Sequence, residues 1–345
     1  MSVKIAVQPF GEYEGKQVKK YTITGDKGME ISAINYGATI TNIIVPDRNG
    51  LLGDIVLGFD TVSGYVNAGN YYIGGICGRY ANRIANGRFR INGSEYKLPG
   101  NNGINCLHGG FKGFDKVYWD AEINSEGDGV TFMYNSIDGE EGFPGNMKVT
   151  VNYRLFGNAL HIEYAATTDK ASPVNLTSHC YFNLSGDVES DILSHELQIN
   201  ANHFLESNSE MIPTGEFLEV KNTSMDFTTL RRADAAIDKT KDYDHCWVLN
   251  KVNGDLEEVA SLTDQKSGRR MKVLTTEPGI HFYSGHFLDG NFTDTKEGKL
   301  YGKYSGLCLE AQHYPDSPNK KHFPNTILQP GETYRQQTIY KFENI

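Results

Sequence analysis

Apolar and polar residues alternate one for one along much of this chain. From Met147 to Leu155 the odd positions Met147, Val149, Val151, Tyr153 and Leu155 are apolar and the even ones polar. After Phe156-Gly157-Asn158 the rhythm resumes at Leu160, Ile162 and Tyr164. A period of two sends every second side chain to the same face, so the segment reads as a hairpin with one buried face. Phe89–Leu98 repeats the scheme around Asn92-Gly93, a strong hairpin turn signal. Asp54–Phe59, Gly129–Tyr134, Met271–Thr275 and Ile280–Tyr283 predict further strands. Helical spacing is scarce, and Phe227–Ile237 is the one stretch that fits it. The chain's 37 glycines fall at turn-like intervals. The pattern predicts an all-β protein of many short antiparallel strands in packed sheets. With no low-complexity linker and no internal repeat, residues 1–345 are expected to form a single domain.

Composition narrows the function. A formal charge of −10 argues against nucleic acid and anionic membrane as partners, since both select basic surfaces. No apolar run approaches the ~18 residues that span a bilayer. Met1–Gln17 lacks the apolar core of a signal peptide. The 20 tyrosines and 17 phenylalanines suit strands and offer flat faces for stacking on sugars or bases. Five cysteines, Cys77, Cys106, Cys180, Cys246 and Cys308, are odd in number and lack metal-ligand spacing. They read as free, buried thiols of a reducing, cytoplasmic setting.

Four polar anomalies interrupt the apolar pattern. Glu310 lies inside Ser305–Asp316, a stretch that reads as a buried strand, and an isolated charge in such a place is costly. Cys106-Leu107-His108 ends against Gly109-Gly110, where glycines let backbone approach a ligand. His179 is flanked by Cys180 and by Tyr181-Phe182, and Asp244-His245 heads the run Cys246–Leu249. Histidines and carboxylates set into strands are what an acid/base site looks like when a β-fold gathers it from distant segments. Gly78–Phe89 adds Asn82-Arg83, a donor pair suited to hydroxyls or a carboxylate. Taken singly, each of these motifs is more often structural than catalytic.

Their order is more specific than any one of them. Asn82-Arg83-Ile84, Leu107-His108-Gly109-Gly110, His179 with Phe182-Asn183-Leu184, Asp244-His245, Thr276-Glu277-Pro278-Gly279 and Leu309-Glu310-Ala311-Gln312 together closely resemble the aldose 1-epimerases (galactose mutarotases). Glu141-Gly142-Phe143-Pro144-Gly145 resembles the family too, and the likeness runs from Asn35-Tyr36-Gly37-Ala38 to Gln329-Pro330-Gly331-Glu332. The resemblance implies a large antiparallel β-sandwich of the galactose mutarotase type. It also implies a small-molecule aldose substrate in an open cleft, no cofactor and no metal, in a monomer or homodimer. It assigns Glu310 as general base towards the anomeric hydroxyl and His179 as general acid towards the ring oxygen. His108 assists near the ring oxygen, and Asn82, Arg83 and Asp244 bind sugar hydroxyls.

One position departs from the family pattern. Where a glutamine is expected after Pro278-Gly279, the chain has Ile280-His281-Phe282-Tyr283, with His286 close behind. Alternation with Tyr283 places His281 on one strand face, from which it is expected to reach a sugar hydroxyl. Competing readings are a glycoside hydrolase or lyase using Asp244 and Glu310, a non-catalytic sugar-binding module, and a metal site at His108, His179 and Glu310. A hexose-phosphate epimerase would need a second cation beside Arg83.

Overall fold

The computed structural model describes residues 3–25, 28–187, 190–234, 242–252 and 254–345. The alternating segment supplies the third and fourth strands of a nine-stranded antiparallel sheet. Met147–Phe156 and Ala159–Thr168 pair from Met147↔Thr168 to Phe156↔Ala159. Gly157 carries a φ of 64° in the two-residue loop, as a turn with glycine first requires. In the second hairpin Asn92 and Gly93 both have positive φ, 51° and 83°, which joins Arg88–Ile91 to Ser94–Lys97 through a primed turn.

Two five-stranded antiparallel sheets accompany the large one. One is N-terminal, from Lys4–Tyr13 to Leu52–Asp54. The other runs in the order Pro213–Glu219, His203–Ser207, Asp244–Val248, Gly279–Tyr283, Cys308–Gln312. A shared core holds Ile31 and Ile43 from the first, Val151, Tyr153 and Val273 from the large sheet, and Trp247, Phe282 and Leu309 from the last. Each fully buried aliphatic or aromatic side chain of this kind contributes about 1.5–3 kcal/mol relative to exposure. Both tryptophans are fully buried, and both indoles still donate: Trp119 Nε1 to Phe114 O and Trp247 Nε1 to Met225 O, each at 3.0 Å. All five cysteines are buried and free. No helix among the described residues is long and apolar enough to cross a membrane.

Two expectations need correction. Phe227–Ile237 is not a helix where it can be described; residues 235–237 lie outside the described residues. Asp226 Oδ1 accepts from both the backbone N–H and the hydroxyl of Thr228, an Asx turn that competes with helical bonding. Arg231–Arg232 then pairs with Glu196–Ile199 and forms the edge of the large sheet. The one α-helix among the described residues is Val62–Ala68, capped by Thr61 Oγ1 accepting from Gly64 N–H at 3.1 Å. Asp54–Phe59 is strand only at its start. Ile55 bonds to Ile43 O, Leu57 to Tyr181 O, and Phe59 bridges Thr295, so the chain changes partner every two residues as it passes between sheets.

Candidate active site

Strand register explains half of the site. Asp244 pairs with Tyr283 and Tyr283 with Cys308; Cys246 pairs with His281 and His281 with Glu310. Residues directly opposite share a face, so these six side chains form two adjacent rows on one face of three strands. The intervening rows, Trp247–Ile280–Ala311 and Phe282–Leu309, turn to the core.

The other half comes from short paired segments facing that sheet. His179 directly follows Thr177–Ser178, which pairs with Ile76–Cys77. Arg83–Ile84 pairs with Cys106–Leu107, and His108 follows. Asn82 and His108 both adopt positive φ, 62° and 49°, a rare conformation for residues with a Cβ. The two residues hold each other there: His108 N–H donates to Asn82 O at 3.0 Å, and Asn82 N–H donates to the His108 side chain at Nδ1, 3.2 Å away. Gly109 must be glycine, because a Cβ there would lie 1.9 Å from Gly78 O. Glu141 secures the chain two residues further on, its Oε2 accepting from Phe111 N–H at 2.8 Å.

These pieces enclose a cleft of about 440 Å³ lined by all seven residues singled out in the sequence: Asn82, Arg83, His108, His179, Asp244, His281 and Glu310. Tyr72, Tyr181, Tyr283 and Phe287 also line it. Of these, only the aromatic richness of the chain gave a sign in the sequence. The arginine-rich motif divides by role. Arg79 is buried and donates to Ser136 O, Ile137 O and Pro144 O, bracing a loop away from the cleft. Arg83 points into the cleft, its Nε donating to Asn102 Oδ1 at 3.1 Å. Glu277 of the Thr276–Gly279 motif is likewise a support, accepting from Tyr334 Oη at 3.1 Å and touching His313 Nδ1 at 2.5 Å.

Glu310 and His179 face each other, Oε1 to Nε2, at 3.6 Å, and both are buried. Burial, then the nearby charge of Asp244, pushes the Glu310 carboxyl well above its ordinary pKa, against the pull of Arg83. Its Oε2 finds no hydrogen-bond donor among the described residues. Burial lowers His179 to about 4, opposed in part by a hydrogen bond to its own backbone. Burial, then the neighbouring His179 and Arg83, holds His108 well below the usual imidazole range. His108 Nδ1 accepts from Asn82, so its proton sits on Nε2 and the ring is a neutral donor.

Asp244 is gripped from two sides. His281 Nε2 donates to its Oδ1 at 2.6 Å, and Arg83 lies 3.6 Å from its Oδ2. Burial alone would raise this carboxyl, but the His281 hydrogen bond and then Arg83 outweigh it and hold the pKa far below the ordinary range. His281 therefore does something the sequence did not reveal. Its Nε2 is taken by Asp244 and Asn82 Nδ2 stands 3.5 Å from its Nδ1, so its leverage on a ligand runs through the carboxylate it holds.

Ligand atoms of His108, His179 and Glu310 come within 4.8 Å of one another. The donor chemistry does not fit a metal: a ligating imidazole needs a free lone pair, and His108 has its Nδ1 pair engaged and its Nε2 protonated.

A model of the aldose 1-epimerase family matches residues 19–341. The galactose mutarotase of Mus musculus is 43% identical, with 99% of each chain covered. The aldose 1-epimerase of Escherichia coli K12 is 38% identical over 95% of this chain and 96% of its own. Among solved structures, galactose 1-epimerase from Lactobacillus acidophilus superposes with a TM-score of 0.87 at 27% identity, covering 99% of both chains. An aldose epimerase homologue from C. elegans gives 0.86 at 32% identity, over 93% of this chain and 97% of its own.

Proposed function

The chain belongs to the aldose 1-epimerase family, and on that premise we propose how its cleft turns one anomer of an aldohexose into the other. It is an isomerase of the mutarotase kind. The observation that carries the assignment of roles is the buried pair Glu310–His179, a carboxyl raised and an imidazole lowered, facing each other inside the cleft.

Opening a cyclic hemiacetal needs a proton removed from O1 and one delivered to the ring oxygen as the C1–O5 bond breaks. Glu310 as carboxylate takes the first, and His179 as imidazolium gives the second from Nε2. The products are the open aldehyde, a protonated Glu310 and a neutral His179. Rotation about C1–C2 presents the other face of the aldehyde. O5 then attacks C1 while His179 removes the O5 proton and Glu310 returns a proton to O1. The pair holds one proton throughout and only exchanges its place. In the free cleft the opposed shifts put that proton on Glu310, the arrangement needed for ring closure, so protein electrostatics favour the state matched to the high-energy open form. His108, a neutral Nε2–H donor, supports oxygen without competing for the proton. Asp244, kept ionised by His281 and Arg83, accepts from sugar hydroxyls, and Asn82 and Arg83 donate to them. The shared core, which runs from Tyr21 to Phe342, supports one domain over the chain. Five buried free thiols suit a reducing, cytoplasmic setting.

Polarimetry tests the function directly: freshly dissolved α-D-galactose and α-D-glucose should reach rotational equilibrium faster with the protein, with no cofactor added. An unchanged rate with both sugars would overturn the assignment.

A one-proton pair also sets the pH profile. Above the raised pKa of Glu310 the pair is empty and no acid remains; below about 4 His179 takes a second proton, the pair is full and no base remains. The acid fall in kcat/KM should therefore centre near 4. A fall centred near ~6.5, the ordinary histidine value, would overturn the shared-proton account.

His281→Gln should keep the fold and most activity but change the ratio of kcat/KM for galactose and glucose by about 2- to 12-fold, because an amide holds the Asp244 carboxylate less firmly. Steady-state kinetics on both sugars measures it, and an unaltered ratio would remove His281 from recognition.

A further inference from the structure

We infer that Cys308 is a positioning residue: its sulfur accepts the Nδ1–H of His179 and so leaves Nε2 as the atom that exchanges a proton with the sugar. The inference rests on His179 being the proton shuttle proposed above.

In each catalytic state Nδ1 must carry a proton. The imidazolium has both; after donation from Nε2 the neutral ring must keep Nδ1–H, so that a lone pair at Nε2 can recover the proton from O5. The opposite neutral tautomer, Nε2–H, is the more populated form of an unconstrained histidine in water and cannot do this. Something in the ring plane must select Nδ1–H.

Aromatic neighbours do not. Tyr181 and Tyr72 flank the His179 ring at 5.1 and 5.7 Å, inclined 31° and 33°, and His108 meets it edge-on at 5.2 Å. They fix the ring's plane, yet a ring face does not distinguish the two nitrogens. The side-chain contacts at the two nitrogens are Glu310 Oε1 at Nε2, 3.6 Å away, and Cys308 Sγ at Nδ1, 3.5 Å away; the hydrogen bond of His179 to its own backbone acts beside them and stays in place when Cys308 is replaced. Cys308 stands two residues before Glu310 on the same strand face, so one rigid element aligns both ends of the imidazole.

The sulfur must also remain a thiol. A thiolate beside a histidine would trap the imidazolium as an ion pair and stop it giving up its proton. Cys308 is fully buried in an apolar cluster with Tyr181 and Tyr283. That burial, with Glu310 nearby, pushes its pKa well above the ordinary thiol value. An uncharged acceptor steers the tautomer without trapping the charge.

The test uses the intact protein with ¹⁵N-labelled histidine, read by long-range ¹H–¹⁵N correlation at neutral pH, alongside kcat and KM by polarimetry. Wild-type His179 should show a protonated Nδ1 and an unprotonated Nε2. Cys308→Ala should move the population towards Nε2–H and lower kcat by about 3- to 10-fold at unchanged KM, the scale of one weak hydrogen bond. Cys308→Ser, whose hydroxyl accepts in the same place, should restore both, and it remains informative if the alanine variant fails to fold. An alanine variant with tautomer unmoved would overturn the role of Cys308 while leaving His179 as shuttle; a wild-type ring in the Nε2–H form would overturn both. A tautomer that moves with kcat unchanged would instead overturn the shuttle itself.

Discussion

Glu310→Gln should lower kcat by about 10²–10⁴-fold, the usual share of a general base, while the protein stays folded. Glutamine keeps the shape of the side chain and loses only its basicity. The expected loss corresponds to about 3–5 kcal/mol of transition-state stabilisation. Stability should move the other way. Glu310 is buried, and its Oε2 finds no donor among the described residues. The carboxyl is thus held in a place that disfavours its ionised form, and an amide carries no charge to desolvate. A thermal melt should place Glu310→Gln at or above wild type, the signature of a site that gives up stability for reactivity. Anomer interconversion above a third of the wild-type rate would refute the assignment of Glu310 as base.

The strands of the large sheet were legible because one of their faces is wet and the other dry, so each side chain declares its direction. Met147–Phe156 alternates in burial as it alternates in sequence. Asp54–Phe59 was misjudged because hydrophobicity reports burial and not partnership: its residues are nearly all buried, yet they bond in turn to three different segments. The Phe227 region looked helical by spacing, and a local side-chain bond from Asp226 overrode the pattern. In the cleft, the chemistry-bearing residues stood out as polar intrusions in apolar runs. What was hidden was their pairing. Nothing local in the sequence says that His281 grips Asp244 or that Cys308 touches His179, because those contacts depend on strand register and on segments 37 and 129 residues apart. The motif Thr276–Gly279 shows the converse: its carboxylate, Glu277, braces Tyr334 and His313 outside the cleft.

His179→Asn should lose activity on the same scale as Glu310→Gln, about 10²–10⁴-fold in kcat, because no neighbour can take over delivery of the proton to the ring oxygen. His108 is the obvious substitute, 5.2 Å away between ring centres. It fails on chemistry. Its Nδ1 already accepts from Asn82 N–H, so gaining a second proton would set two N–H groups against each other, and burial with the charge of Arg83 further disfavours the imidazolium. A ring that stays neutral can lend a hydrogen bond but cannot release a proton without becoming an imidazolate. Asparagine fills less of the box formed by Tyr72 and Tyr181, so some stability is lost, on the order of 1–3 kcal/mol for a buried truncation of this size. Rates must therefore be divided by the folded fraction from a denaturation curve. The pH profile supplies a reading that misfolding does not imitate: residual activity in His179→Asn should lack the acid fall near 4, since the group that takes the second proton is gone. A folded variant with more than a tenth of wild-type kcat, or one that keeps that acid limb, would transfer the role of proton donor away from His179.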